Sequence, residues 1–302
     1  MMQLHAGSVN SWNDCTVKSR MLQLTDRHIN KINTCGYTVI DDIVPIRQIA
    51  EAKRTLTKIY AGEKNLSPLL NSKLYQRSVC LVHKEKVFRS ICQTPEVLSL
   101  VSSLFGNDFT IGSLNALTIK PGEEQQNLHF DQRGVAGALS MLIVMFPLDD
   151  STFENGCTRL IPASHQMVHR LDAKADSTVN QFTHLEEQAI HVEVAAGSAI
   201  AFNALLLHAV SRNTSNHFQD AVIATYCRKW VKPLWNIVAS IPGNISINFT
   251  EEERQLFGFY QSNPTPYDYK RCNIYTPSRL RANLERVRRK IYKMTNSLIP
   301  KG

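Results

Sequence analysis

Residues 109–120 read FTIGSLNALTIK, and this run opens the region that decides the fold. Apolar and β-branched residues dominate it, as is typical of a strand that is partly buried in a sheet. Five further β-rich runs follow, separated by turn signals, at residues 138–148, 157–164, 189–197, 198–210 and 220–230. Short strands of this size and spacing predict an all-β barrel or jelly roll.

Helical patterns precede these strands. Residues 25–36, 45–62 and 94–106 each combine a helix start signal with a terminal glycine. A short strand, YTVIDDIV, is predicted at residues 37–44, and residues 63–85 are predicted to be irregular. Helices first, strands later and a helical tail at the end predict an α+β chain.

The chain has 302 residues, enough for one large core. Residues 1–20 are predicted to be flexible, and residues 21–302 to form one domain with a helical flank at 21–106, a barrel core at 107–230 and a helical extension at 231–302. No apolar h-region begins the chain, and no run approaches the roughly 18 apolar residues of a membrane span. The seven cysteines are scattered without a CxxC pair, which predicts reduced thiols in a cytoplasmic protein.

The net charge of +8 is concentrated at the C-terminus, where residues 270–302 hold ten Lys and Arg against one acid, Glu285. Within them, SRLRANLERVRRKIYKM has apolar residues at helical spacing and predicts an amphipathic helix with a basic face. This face is interpreted as solvated, as a clamp for an acidic substrate or as an oligomer contact. No nucleic-acid module or aromatic interleaving accompanies the charge, so nucleic-acid binding is not expected.

The stretch LHFDQ places two metal-binding side chains on one side of an extended segment. Residues two apart on a strand share a face, so His129 and Asp131 project together and Phe130 projects the other way. His208 ends an apolar run 77 residues beyond Asp131 and is the candidate for a third ligand. Two histidines and one carboxylate on one face form the ligand set of non-haem Fe(II) oxygenases. His165, His169, His191 and His217 are other candidates by composition, but none of them ends a strand in this way.

Four segments together resemble the phytanoyl-CoA dioxygenase family of Fe(II)/2-oxoglutarate oxygenases. They are LHFDQ, LIVMFPLDDSTFENGCTRLIPASHQ, GSAIAFNALLLHAVSRNTSNHF and AVIATY, and the similarity runs from about residue 36 to 230. The resemblance implies a double-stranded β-helix core with iron held by His129, Asp131 and His208. It also implies that 2-oxoglutarate chelates the iron and that O₂ takes the last position. No catalytic residue beyond the metal ligands is expected.

The sequence departs from the family where the far carboxylate of 2-oxoglutarate is bound. The family usually has an arginine eleven residues after the distal histidine, and this chain has Gln219 there. The family often has Ser or Thr two residues after that histidine, where this chain has Val210. Glutamine can donate a hydrogen bond but carries no charge, so a cation elsewhere is expected to compensate.

Arg77 is favoured as that cation, because some family members place a basic residue there, and Arg212 and Arg228 are alternatives. Gln126, three residues before His129, matches a position where the family often uses glutamine to hold the cosubstrate. Arg133 and Arg212 are candidates for substrate binding.

These patterns predict an oxygenase of specialised biosynthesis that hydroxylates, desaturates or cyclises a small molecule. The tail and the extra arginines make an anionic substrate the expectation. Two alternatives stay open: a pseudo-oxygenase that serves as a partner subunit, motivated by Gln219 and Val210, and a metal-dependent isomerase that uses the same three ligands. Whether the chain is a monomer or a dimer is left open.

Overall fold

The structure, a computed structural model, describes residues 25–63, 75–132, 139–167, 182–233 and 235–260. The predicted flexible start at 1–20 and the predicted basic helix of the tail lie outside the described residues. The α-helices within these ranges are α1 (25–35), α2 (Ile46–Glu63), α3 (Lys86–Ile91), α4 (Pro95–Phe105), α5 (Ile237–Ser240), α6 (Gly243–Ser246) and α7 (Glu251–Leu256). None of these helices is long and apolar enough to cross a bilayer.

The strands form two antiparallel sheets, so the architecture is mixed α and β. The strands are β1 (Tyr37–Ile40), β2 (Tyr75–Ser78), β3 (Phe109–Ile119), β4 (Met141–Pro147), β5 (Thr158–Leu160), β6 (Ile190–Val192), β7 (Ala199–Asn203), β8 (His208–Val210) and β9 (Gln219–Arg228). The large sheet has the order β1-β7-β4-β9-β3-β2, and the small sheet has the order β6-β5-β8. Neighbours in each sheet are distant in sequence, so long connections fix the topology.

The large sheet has one face against helices and one against the small sheet. On β9, Val222, Ala224 and Tyr226 belong to a core that also contains apolar residues of α2 and α4. Ile223 points the other way and packs against a second cluster, which joins Ile143 of the large sheet to Leu160 of the small one. The alternation of the strands therefore creates an inner face between the two sheets.

The structure corrects one prediction, because residues 63–85 are not irregular throughout. Residues Tyr75–Ser78 form β2, an edge strand that pairs with β3 from Tyr75↔Ile119 to Ser78↔Ala116. The segment reads YQRS, which has no apolar alternation and only four residues. A short polar strand paired on one side gives little periodic signal, so sequence patterns miss it.

Gly36 connects α1 to β1 in a conformation that favours glycine. Its φ is +86°, in the left-handed region. The Gly36 N–H donates to the Ile32 carbonyl at 3.0 Å, and the Gly36 carbonyl accepts from the Asn203 N–H at 2.8 Å. A Cβ here would lie 2.4 Å from Leu206 Cδ1 and 2.6 Å from His165 Nδ1. The first strand is thus packed closely against the chain that leads to His208.

Gly36→Ala is expected to lower the free energy of unfolding by about 1–3 kcal/mol, because it adds both backbone strain and overpacking. Urea unfolding of the purified protein measures this change. Gly62→Ala is the matched control, since no heavy atom lies within 4 Å of its Cβ position. The control is expected to be neutral or slightly stabilising, as for an ordinary helical glycine. Equal effects of the two substitutions would contradict the close packing at Gly36.

Candidate metal centre

The two histidines are brought together by a backbone bridge. His129 and His208 face each other in an antiparallel bridge, with N–H···O distances of 3.0 Å from His129 to His208 and 2.9 Å in return. Their rings lie 4.5 Å apart between centroids. Asp131 is placed two residues on, where its N–H donates to the Ala204 carbonyl at 3.0 Å. The structure therefore brings the three predicted ligands to one place.

The ligand atoms converge on a single point. One ligand atom from each of His129, Asp131 and His208 lies within 4.8 Å of the others. The Nε2 atoms of His129 and His208 are 3.8 and 3.6 Å from the Asp131 carboxylate oxygens. Two imidazoles and one carboxylate at this spacing suit a divalent first-row metal and leave its other positions open.

Both rings are oriented by backbone carbonyls. His129 Nδ1 lies 2.9 Å from the Asn127 carbonyl, and His208 Nδ1 lies 2.9 Å from the Leu206 carbonyl. A carbonyl oxygen can only accept, so each Nδ1 carries the proton and each Nε2 presents a lone pair. Such partners fix the tautomer and ring orientation that metal binding requires. The donor set thus fits a bound Fe(II) ion.

Burial differs across the centre. His208 is 8% exposed, and burial lowers its pKa, although Asp131 opposes the shift. A lowered pKa keeps the imidazole neutral at neutral pH, which is the form that ligates a metal. The side chains of His129 and Asp131 are 39% and 43% exposed. One side of the centre is therefore closed and the other is open to incoming ligands.

Gln126 lies on the strand segment that leads to His129. Its N–H donates to the Val210 carbonyl at 3.0 Å, and its Oε1 accepts from the Val210 N–H at 3.3 Å. Val210 is two residues beyond His208, so the Gln126 side chain is placed close to the candidate metal ligands. This placement is compatible with the predicted role in cosubstrate binding.

Gln219 is buried and already has a partner. It is 1% exposed, and its Nε2 donates to Ser151 Oγ at 2.8 Å. Ile119, its partner across β3 and β9, forms a small apolar cluster with Leu117 and Val210. The position that usually carries an arginine therefore holds a neutral amide that is committed to another side chain.

Arg77 is an exposed residue of β2 on the inner face. It lies opposite Leu117, which in turn lies opposite Ala221 of β9. Residues that pair across antiparallel strands share a face, so the Arg77 side chain starts on the face turned to the small sheet. Its guanidinium carbon lies 5.0 Å from the centroid of the Tyr75 ring. Burial raises the pKa of the Glu123 carboxyl, and the positive charge of Arg77 counteracts that shift.

The other predicted arginines are placed differently. Arg212 forms an ion pair with Glu124 at 2.9 Å, and both side chains are more than half exposed. Arg228 donates to the carbonyls of Leu104 and Phe105 at the end of α4, which is a structural role. Arg133 lies outside the described residues, so its predicted role in substrate binding stays a prediction.

The Pro-Ala-Ser-His turn supports the strand that carries His208. Ser164 Oγ accepts from the Leu207 N–H at 2.9 Å, next to the candidate ligand His208. Ala163, in the same turn, has φ of +63° in the left-handed region. A non-glycine residue in that region costs roughly 1 kcal/mol or more. A glycine at this position would avoid that cost.

Sequence patterns missed Arg159 and Glu186. Arg159 is 2% exposed, forms an ion pair with Glu186 and donates through Nη2 to the Gln126 carbonyl. The available sequence signal was the charged residue Arg159 between Thr158 and Leu160, whose side chains face inward. Its partners lie 27 and 33 residues away in sequence, so that signal did not identify them.

Comparison with known proteins assigns the family. Residues 32–221, more than half of the chain, match the family model described as phytanoyl-CoA dioxygenase (PhyH). Dioxygenase ALT11 of Alternaria alternata is 27% identical over 79% of this chain and 83% of its own length. The carbocyclase SnoK from nogalamycin biosynthesis, a non-haem α-ketoglutarate-dependent enzyme, superposes with a TM-score of 0.61 at 18% identity, over 73% of this chain and 91% of its own.

The epimerase SnoN, solved with Fe³⁺, α-ketoglutarate and nogalamycin RO, superposes with a TM-score of 0.57 at 18% identity, over 69% of this chain and 85% of its own. At this identity the two structural likenesses support the fold, and the family match supports the activity. The chain belongs to the phytanoyl-CoA dioxygenase family of Fe(II)/2-oxoglutarate-dependent dioxygenases.

Proposed function

We propose that this protein is an oxygenase that oxidises a C–H bond of a small molecule of specialised metabolism, with Fe(II) held by His129, Asp131 and His208. The observation that carries the proposal is the convergence of the three ligand atoms within 4.8 Å. The Nδ1 hydrogen bonds of both rings support it further, because they turn each Nε2 towards the same point.

The iron, when bound, couples the oxidative decarboxylation of 2-oxoglutarate by O₂ to the oxidation of a substrate C–H bond. The chain's own residues hold the metal, orient the ligands and limit the access of water. His208 supplies the buried side of the centre, and Asp131 supplies the negative charge that attracts a cation. Hydroxylation, desaturation and ring closure are all compatible with this arrangement.

The two facing antiparallel sheets support a double-stranded β-helix as the finer description of the core. The segment around His129 pairs with β8, which extends the small sheet by one short strand. The ligands then lie between the two sheets at one end, as in a barrel that binds its ligand inside.

The cosubstrate is proposed to lie between the metal centre and Arg77. Gln126 supports this position because its side chain bonds Val210, which packs with Leu117 and Ile119 of β3. Arg77 supplies a guanidinium on the inner face, where a bidentate pair with a carboxylate can form. Gln219, bonded to Ser151, is not expected to contribute charge.

The side chains of the inner face indicate what kind of substrate this protein can bind. Tyr37, Val39, Met141, Ile223 and Thr225 face the small sheet but are only half-buried, so this face lines an accessible space. Aliphatic, thioether, phenol and hydroxyl groups suit a small molecule with both apolar and oxygen-bearing parts. The basic tail, which favoured an anionic substrate, lies outside the described residues, so the charge of the substrate stays a prediction.

The free thiols of all five described cysteines support the proposal of a reducing, cytoplasmic location. The pseudo-oxygenase remains the second candidate because of Gln219, a neutral residue where a cation is usual. An isomerase that uses the same three ligands without 2-oxoglutarate is a further candidate.

Succinate formation separates the first two candidates. Purified protein with Fe(II), ascorbate and 2-oxoglutarate is expected to release succinate steadily, even without a substrate, because cosubstrate turnover can run uncoupled. Reactions without Fe(II), and with excess chelator, are the controls. Absence of succinate above these controls, in protein shown to bind Fe(II), would favour the pseudo-oxygenase or the isomerase.

A further inference from the structure

The strand segment that carries His129 is weakly paired in the small sheet. His129 meets β8 through an isolated bridge rather than a continuous ladder. Gln126 adds one further backbone hydrogen bond to Val210. Asp131 and Gln132 both donate to the Ala204 carbonyl, so irregular pairing rather than a regular ladder holds the segment. Side-chain contacts can then add to the fixed geometry that a ligand requires.

Arg159 supplies such a contact from the side opposite the metal. It lies on β5, with Ala209 of β8 opposite it. Its neighbours Thr158 and Leu160 face the inner space, so Arg159 points to the outer face of the small sheet. From there Nη2 donates to the Gln126 carbonyl, across β8, and the small side chain of Ala209 leaves room for this reach.

Glu186 holds the other end of the guanidinium. It belongs to a 3₁₀ turn at Thr183–Gln188 and pairs with Arg159 Nη1. The Arg159 side chain is 3% exposed and the Glu186 side chain 20% exposed, so water screens this ion pair weakly. A planar guanidinium can bond a carboxylate and a carbonyl at once, which a lysine cannot do in the same geometry.

The turn that contains Glu186 also packs on the metal-binding segment directly. The ring centroid of Phe182 lies 6.2 Å from that of Phe130, the residue between His129 and Asp131. Phe182 and Leu185 belong to an apolar cluster with Leu128 and Leu207, which lie next to the two histidines. Residues Phe182–Ala189 therefore pack against the segments that carry His129 and His208, on the side away from the candidate metal centre.

We infer that Arg159, held by Glu186, is a positioning residue for the metal centre. It fixes the segment that carries Gln126 and His129 against the strand that carries His208, and so preorganises the ligands. This inference rests on the proposed function, because it requires that the three ligands bind a metal. Loss of Arg159 is expected to weaken metal binding while all three ligands remain in the chain.

The test is a titration of the metal-free protein with Co(II), followed by calorimetry and by the visible spectrum of the bound ion. Arg159→Met is expected to weaken Co(II) binding about 10-fold, the lower end of the loss seen when a direct partner of a ligand is removed, because Arg159 acts through the Gln126 carbonyl. The spectrum of the bound Co(II) is expected to change, because the His129 segment is no longer fixed. Arg159→Lys is expected to recover only part of the affinity. If Arg159→Met does not fold, Glu186→Gln tests the same contact with a smaller change.

Arg89→Met is the matched control for general destabilisation. Arg89 forms an ion pair with Glu253 at 3.2 Å between α3 and α7, with both side chains 13% exposed. It is expected to lower thermal stability without changing the Co(II) affinity or spectrum of the folded protein. Equal Co(II) affinity in the wild type and the Arg159 or Glu186 variants would overturn the inference, as would an equal loss in Arg89→Met. If the wild-type protein bound no Co(II), the proposed function itself would fail.

Discussion

Asp131→Ala is expected to abolish Fe(II) binding and 2-oxoglutarate-dependent succinate formation. Asp131 is the proposed anionic ligand among the three, with carboxylate oxygens 3.8 and 3.6 Å from the Nε2 atoms of His129 and His208. Without it, only two imidazoles remain, so the site loses one of its three ligands and the negative charge that offsets the charge of Fe(II). The loss of affinity is expected to exceed the roughly 100-fold that removal of an outer partner can cost. Calorimetric titration with metal and a succinate assay measure the two effects.

The same substitution is expected to leave the metal-free fold intact. The Asp131 side chain is 43% exposed, and surface substitutions of this kind usually change stability by no more than about 0.5 kcal/mol. Asp108→Ala is the matched control, because its side chain is 32% exposed and pairs with Lys229 at 3.5 Å. Asp108→Ala is expected to keep full metal binding and turnover. Normal Fe(II) affinity in Asp131→Ala would remove the assignment of the metal centre.

Arg77→Met is expected to raise the KM for 2-oxoglutarate roughly ten- to hundred-fold, with a smaller effect on kcat. A charge-assisted hydrogen bond contributes about 1.5–3 kcal/mol, which corresponds to this range of affinity. Arg77 is exposed at the sheet edge, so the lower half of the range is favoured and the effect should weaken in high salt. Steady-state kinetics at two salt concentrations measure it.

Gln219→Leu tests the alternative that Gln219, rather than Arg77, binds the far carboxylate of 2-oxoglutarate. The Gln219 side chain donates to Ser151 and the residue is 1% exposed. Removal of its amide is therefore expected to lower stability more than it raises the KM for 2-oxoglutarate. Arg212→Met, which removes a surface pair, is expected to change neither quantity. A large KM increase in Gln219→Leu together with none in Arg77→Met would show that the far carboxylate is bound at Gln219.

The grouping of His129, Asp131 and His208 could be predicted from strand periodicity together with the family resemblance. The local details differ, because His129 forms an isolated bridge and His208 begins β8 rather than ending a strand. The structure places their ligand atoms within 4.8 Å, as that prediction requires. The helices at Ile46–Glu63 and Pro95–Phe105 were also predictable, because a proline lies just before the first and begins the second, and apolar residues recur at helical spacing.

Features that depend on long-range side-chain contacts could not be predicted. The partner of Gln219 is Ser151, 68 residues away, and neither residue belongs to a periodic pattern. The reach of Arg159 to the Gln126 carbonyl depends on the pairing of three strand segments. The edge strand β2 has too few residues and too little apolar character to show alternation. In each case tertiary packing, rather than local propensity, determines the structure.

The most direct measurement is anomalous X-ray diffraction from crystals grown without oxygen in the presence of Mn(II), as a redox-stable substitute for Fe(II), and 2-oxoglutarate. The expected result is one strong anomalous peak bonded to Nε2 of His129, Nε2 of His208 and a carboxylate oxygen of Asp131. A crystal saturated with Mn(II) whose anomalous peak lies elsewhere, or that shows no peak at these three residues, would contradict the assignment of this chain's metal centre.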